Sequence, residues 1–322
     1  MAEGRCDSGP LLFLSRRLVA MKNDASGAEY LKKEKKLAIL FILPSLAVFV
    51  LFMFYPLAYT LYLSFFKWNM VSPNMKFVAM RNYVRLLTDP VTLQIAENTL
   101  LYIVILVLLN FLLPYVLAFA NTFLMKTGKH FYKALLFSSS LIALVVGAIL
   151  FQWIFNPVSG PVSEVLDVFG ISLPAWSKTP GLVILVISLV AVYKAFGYNF
   201  LILLSGMNNV PEELIEAAKL EKAPNSNIFT KIVMPLTSST AVYILIMTIV
   251  QGLQYVFTPI KVLTQGGPNN ASSNIIYQGY DYAFTYYETG MAAALAIVTM
   301  LIFLVLLYVE FRFVEKGVYY EN

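Results

Sequence analysis

Residues 37–66 read LAILFILPSLAVFVLFMFYPLAYTLYLSFF, a stretch without one charged side chain. About 20 apolar residues in a helix are enough to cross roughly 30 Å of hydrocarbon. This run is longer than that, so it spans with tilt or extends past the bilayer. It is too long for a cleaved signal peptide and has no small-residue cleavage site. The apolar patch from Leu11 to Leu14 is too short to span and is closed off by Arg16 and Arg17. Working outward, comparable apolar runs cover 99–125, 134–155, 182–206, 238–258 and 291–309. The sequence therefore predicts an all-α polytopic membrane protein with six transmembrane helices.

Composition agrees. Of 322 residues, 59% are hydrophobic and 13% charged, with a mean hydropathy of +0.73. A soluble domain carries about 25% charged residues. Thirteen of the 41 charged side chains fall in the first 36 residues, so the rest of the chain has too few to cover a water-facing surface. One cysteine, Cys6, excludes an internal disulfide framework and any multi-cysteine metal site. One histidine, His130, removes most imidazole-based chemistry.

Basic residues set the orientation. With the N-terminus in the cytoplasm and six crossings, the inner segments hold sixteen Lys and Arg: Arg5, Arg16, Arg17, Lys22, Lys32, Lys33, Lys35, Lys36, Lys126, Lys129, Lys133, Lys219, Lys222, Lys231, Arg312 and Lys316. The outer segments hold six: Lys67, Lys76, Arg81, Arg85, Lys178 and Lys261. Both termini are thus expected inside. The expected organisation is a basic cytoplasmic segment at 1–36, a transmembrane domain at 37–315 with a cytoplasmic loop at 208–239, and a cytoplasmic tail at 316–322. The +5 net charge is topogenic on this reading and calls for no nucleic-acid partner. Tyr55, Tyr59, Trp68, Trp153 and Trp176 fall near the run ends, where aromatic side chains anchor at the membrane interface.

The six runs contain no Asp and no Glu. Proton-coupled and many sodium-coupled transporters place carboxylates near the midplane. Membrane enzymes need paired acids, a nucleophile with its base, or metal ligands. None of these sets can be assembled here, and Gly128-Lys129 lacks the rest of a phosphate-binding loop. Uphill transport would have to draw its energy from another polypeptide.

The loop at 208–239 reads NNVPEELIEAAKLEKAPNSNIFTKIVMPLTSS. Pro211 suits a helix start, and Glu212 and Glu213 suit the positive end of the helix dipole. Leu214, Ala217, Ala218 and Glu221 fall on one face, kept low by the two alanines. The helix should stop near Ala223-Pro224-Asn225, and a short amphipathic stretch from Ile228 to Val233 follows, closed by Pro235. A loop this long is a docking element or a plain connector, and its length favours docking.

This segment resembles the EAA loop of binding-protein-dependent ABC importer permeases, whose pattern is E-A-A, three residues, G, nine residues, I-x-L-P. Glu216-Ala217-Ala218, Ile232 and Pro235 fit; Met234 replaces Leu, and Lys222 stands in the glycine place. Other stretches resemble the sugar-type group that includes the maltose and glycerol-3-phosphate permeases. Phe77 to Tyr83 is similar to F-x-G-x-x-N-Y, with Ala79 in the glycine place. Asn98-Thr99 resembles the group's N-T at the start of the second span, and Trp153 to Pro157 with Gly160 resembles W-x-F-N-P-x-x-G. Phe257-Thr258-Pro259, followed by Leu263 to Pro268, is similar to the group's signature ending L-T-x-G-G-P.

The resemblance implies a type I importer permease that carries a carbohydrate by alternating access. The alternatives are a permease for a non-sugar solute and, less favoured, a secondary transporter. It implies a second homologous permease, two cytoplasmic ATPase subunits that hold the ATP and magnesium, an extracytoplasmic solute-binding protein, and no cofactor in this chain. Glu212, Glu213, Glu216, Ala217, Ala218 and Lys222 would face the ATPase. Gly266, Gly267 and Pro268 would face the binding protein. Tyr193, Lys194 and Asn199 in the fourth run, with Gln251, Gln254 and Tyr255 in the fifth, are candidates for the substrate path; each also suits interhelical packing. Lys194 has no acid within the runs to pair with, so it is expected to face water, the path or a partner subunit.

Overall fold

The computed structural model of the chain describes residues 25–314. The expected tail at 316–322 and most of the expected basic segment at 1–36 lie outside that range. The chain divides into two compact units, 1–60 and 61–322.

In the first unit a helix opens at Ala25, well before the apolar run, and continues through a π turn at Val50–Phe54. The wider turn lies just ahead of Pro56, which has no N–H to donate back up the helix. From Leu37 to Tyr59 the side chains are exposed, so an apolar medium or a partner must cover them.

The second unit holds four more helices long and apolar enough to cross a membrane: Pro90–Leu124, Leu182–Asn208, Ser238–Thr264 and Thr289–Val309. These are the second, fourth, fifth and sixth spans below. The second opens at Pro90 rather than at 99. Asp89 caps it, accepting from the Val91 amide at 3.3 Å, and Pro90 occupies the first turn. Its added turns are interrupted by Thr92, Gln94, the exposed Glu97 and Asn98, which is why hydropathy alone placed the start too late. π turns again accompany prolines: Leu108–Leu112 precedes Pro114, Phe229–Val233 precedes Pro235, and Ile260–Thr264 follows Pro259. The last of these carries the fifth span beyond its expected end at 258.

The third run, 134–155, is not one continuous helix. Lys129–Leu141 and Leu144–Ile154 meet at 102°. The break follows three serines. Ser138 and Ser139 donate back to the Leu135 and Leu136 carbonyls at 2.7 and 3.0 Å, competing with the helical ladder. The chain tightens to a 3-10 turn at Ser139–Leu141, and Ile142 is extended.

The fourth span is the hub of the core. Its first half packs with Tyr102, Leu106, Leu253, Val256 and Ile260. Its second half packs with Tyr115, Phe119, Ile244 and the loop residues Ile215, Ile228 and Val233. The span approaches the bent pair closely at Gly197. A Cβ there would collide with the Leu136 carbonyl oxygen and lie 2.7 Å from the Phe137 Cα. Only glycine admits that approach.

Candidate functional site

The two apolar clusters leave a polar layer between them. In the fourth span it covers Lys194 to Asn199, in the second it is Asn110, and in the fifth it is Thr248 and Gln251. Lys194, Ala195, Asn199, Asn110, Thr248 and Gln251 line one cavity of about 190 Å³, together with Ser140, Tyr198, Met247 and Tyr255.

Four of the six expected path residues meet there: Lys194, Asn199, Gln251 and Tyr255. The other two do not line it. The Tyr193 ring packs on Phe151 at 5.6 Å between centroids, and Gln254 is exposed on another face of its helix. Sequence reasoning missed Asn110, Ser140 and Thr248. A single polar residue within the run Leu108-Leu109-Asn110-Phe111-Leu112 was the available signal.

Lys194 is held by backbone. Its Nζ donates to the carbonyls of Ser140 at 2.6 Å and Ile142 at 2.9 Å. Those carbonyls are freed where the bent pair breaks, and the C-terminal end of a helix attracts a cation. A mid-span lysine costs about 2.5–3.5 kcal/mol on insertion, and charge-assisted hydrogen bonds of about 1.5–3 kcal/mol each offset that. An ammonium has three N–H donors, so one is left beside the cavity.

Asn199 ties three spans together. Its Nδ2 donates to the Asn110 carbonyl at 2.7 Å and to the Thr248 hydroxyl at 3.1 Å. The Asn110 carbonyl belongs to a π turn. The Asn110 side chain is fully buried, yet among the described residues neither its Nδ2 nor its Oδ1 has a partner, and the Ser140 hydroxyl is also unpaired. An unpaired buried polar group costs about 1–3 kcal/mol. Unpaired donors and acceptors packed beside a cavity suit a ligand that carries both, such as a polyol, once the layer opens to it.

The loop at 208–239 folds as a helix, Glu212–Leu220, with Pro211 at its N-cap position rather than inside its first turn. Of the low face read from the sequence, Leu214, Ala217 and Glu221 are outward and Ala218 turns inward. Ile215 is buried with Ala218 and Ala223 packed beside it. Leu220 is also exposed, at 85%. Glu212, Glu213, Glu216 and Lys222 also face out.

The helix stops earlier than expected, by a Schellman motif. The Ala223 amide donates to the Ala218 carbonyl at 3.0 Å and the Lys222 amide to the Lys219 carbonyl at 3.0 Å. Lys222 sits in the left-handed region at φ 58°, which explains why the resemblance puts glycine there. The chain is helical again from Asn225, continuing past Pro235 to Leu236.

The turn after the fifth span is tied inward. The Ser272 hydroxyl donates to the Gly267 carbonyl at 2.6 Å. Asn98 Nδ2 donates to the Asn270 carbonyl at 2.9 Å, and the Tyr102 hydroxyl donates to the Ser272 carbonyl at 2.8 Å. Gly266 is buried, Gly267 and Pro268 are half-buried, and Gln265 and Asn269 are the exposed members. Below this turn, burial raises the Asp281 carboxyl, and burial with the nearby Asp281 charge pushes the Tyr277 phenol up to about 12.

Residues 119–318 match the family described as "Binding-protein-dependent transport system inner membrane component". A protein described as "Probable ABC transporter permease protein YurN", from Bacillus subtilis (strain 168), is 31% identical over 288 residues, covering 88% of this chain and 98% of that one. The "sn-glycerol-3-phosphate transport system permease protein UgpA" of Agrobacterium fabrum (strain C58 / ATCC 33970) is 30% identical over 286 residues, 89% of this chain and 97% of that one. A chain from the crystal structure of a bacterial ABC transporter involved in the import of the acidic polysaccharide alginate superposes with a TM-score of 0.74 at 19% identity, covering 88% of this chain and 96% of that one. At that identity the likeness is one of fold.

Proposed function

Since this chain belongs to the binding-protein-dependent transport system inner membrane components, we propose that the solute its polar layer passes is a carbohydrate or a polyol phosphate. The chain is a multi-pass permease subunit of the inner membrane and not an enzyme; the ATPase of the system is a separate subunit. The observation that carries the substrate reading is the unpaired Asn110 amide and Ser140 hydroxyl beside one cavity with Gln251, Tyr255 and the remaining Lys194 N–H. Amides, hydroxyls and aromatic faces hold hydroxyl-rich solutes, and the cation favours an anionic member of that class. The named relatives that transport sn-glycerol 3-phosphate and the fold-related alginate importer both handle anionic solutes, which supports this reading.

The exposed face of Leu214, Ala217 and Leu220, flanked by Glu213 and Glu216, is the docking surface for the ATPase subunit. The opposite face is already covered by Ile215 and Ala218 on the body of the permease. Movement of that helix is passed to the fourth and fifth spans through the cluster they share with it. A second permease covers the exposed apolar flanks and completes the path. A solute-binding protein delivers the solute on the outer side, where Gln265 and Asn269 are exposed.

The test is ATP turnover by the reconstituted four-part complex plus its binding protein, measured against panels of oligosaccharides, sugar or polyol phosphates, and amino acids. Stimulation by a member of the first two panels supports the reading. Stimulation by amino acids alone overturns it.

A further inference from the structure

On the side of the chain that the charge distribution places outside, a second cavity of about 630 Å³ lies between the turn after the first apolar run and the start of the sixth span. Its lining includes Lys67, Lys76, Arg81 and Arg85, with Glu288 and Trp68. Glu288 is already taken: Arg85 Nη1 donates to its two carboxylate oxygens at 3.1 and 3.0 Å. That is the one ion pair among the described residues, so Lys67, Lys76 and Arg81 face a common space with no counter-charge.

The arrangement is imposed by backbone register. Phe66–Lys67 and Lys76–Phe77 pair antiparallel, with Lys67 directly opposite Lys76. Like charges directly opposite each other destabilise a strand pair. A shift of one residue would turn both side chains to the other face, but the hairpin is anchored against slipping. Asn82 Nδ2 donates to the Ser64 and Phe66 carbonyls at 2.8 and 2.9 Å. The Phe66 carbonyl also rests against Gly290, where a Cβ would collide with it. Gly290 and Met291, in the first turn of the sixth span, line the same cavity, so the positive end of a 26-residue helix adds to the charge. Two repelling ammonium groups, a guanidinium and a helix N-terminus therefore converge on a space large enough for a small ligand.

We propose that this cup binds a phosphate-bearing anion. Its level in the membrane favours the phosphodiester of an anionic lipid headgroup. The helix of the first span ends at Leu63, four residues before Lys67, and the sixth span begins at Thr289, one residue before Gly290. Trp68 is a residue type that favours the headgroup zone. The site lies apart from the polar layer and does not depend on which solute that layer carries.

The test uses the purified permease–ATPase complex in detergent, with ligand retention read by native mass spectrometry. Phosphatidylglycerol, phosphatidylcholine and inorganic phosphate are each titrated against the wild type, Lys67→Gln with Lys76→Gln, and Lys76→Glu. The last variant supplies a counter-charge opposite Lys67 and so removes the repulsion, which keeps the test informative if the double neutral variant assembles poorly. Retention of phosphatidylglycerol that falls about tenfold or more in both variants, with phosphatidylcholine unaffected, supports a lipid occupant. The same dependence for inorganic phosphate without phosphatidylglycerol supports the anion site with a soluble occupant. Equal retention by the wild type and Lys76→Glu, for both anions, overturns the proposal.

Discussion

The ammonium of Lys194 donates a 2.6 Å hydrogen bond to the carbonyl oxygen of Ser140, at the point where the bent helix pair turns. One side chain thus holds a break in its neighbour and borders the cavity beside it. Lys194→Met removes the donor and leaves the Ser140 and Ile142 carbonyls unpaired, at about 1–3 kcal/mol each. Thermal melting of the purified complex should fall, and transport with it. Unchanged melting would show that the break holds without the lysine.

Asn110 separates function from stability in the opposite sense. Its amide has no partner, so Asn110→Leu removes an unsatisfied buried group and should leave melting unchanged or raised. Solute-stimulated ATP turnover should drop at the same time, because an acceptor and a donor leave the polar layer. Asn199→Leu is the counterpart. It breaks bonds to the second and fifth spans and should lower both melting and turnover. If Asn110→Leu transports like the wild type, the layer is packing and not path.

The apolar runs were legible because hydropathy is a local property: five of the six correspond to continuous helices. The break in the third run was not, since three serines bend a helix only where a partner takes up the freed carbonyls. That partner, Lys194, lies 54 residues further along the chain. In the same way, the mid-span lysine read as an unpaired charge because its partners are main-chain carbonyls, invisible in a side-chain inventory. The helix in the loop was legible, and Leu214, Ala217 and Glu221 are exposed as an approachable face requires; Ala218 departs from that face and packs inward beside Ile215. The inward side was not legible, because it is set by packing: Ile215 is buried in one cluster with Tyr115, Phe119 and Ile228.

Orientation can be tested at residues the structure leaves accessible. Ser159 and Asn225 are exposed, whereas Ser163 and Ser272 are buried and unsuited to labelling. With both termini inside, Ser159→Cys should react with an impermeant maleimide added to intact cells, and Asn225→Cys only after permeabilisation. Each should be made with Cys6 replaced by Ser. The reverse pattern would invert the topology.

Two positions where the resemblance puts glycine carry other residues, and both have left-handed backbone: Ala79 at φ 48° and Lys222 at φ 58°. A residue with a Cβ pays roughly 1–2 kcal/mol there. Ala79→Gly should therefore raise the melting temperature of the complex, tightening the turn that precedes Arg81 and Asn82.

Lys222→Gly should relieve the same strain in the docking loop, and it also tests what the lysine contributes. Lys222 is exposed, makes no ion pair among the described residues, and closes the Schellman motif beside the proposed ATPase surface. If it is only a tolerated surface residue, the glycine variant should melt higher and couple normally. If its charge contacts the ATPase, melting of the isolated permease should rise while ATPase retention on copurification falls. Glu216→Lys and Ala217→Trp then ask whether this face docks at all. Both side chains are exposed, so neither change should disturb insertion. The first replaces a charge-assisted contact of about 1.5–3 kcal/mol with repulsion, and the second puts an indole where a methyl group leaves room for close approach. Each should reduce ATPase retention about tenfold or more, the factor that 1.4 kcal/mol represents. Wild-type coupling in both variants would remove the docking role from this helix, whatever Lys222→Gly does.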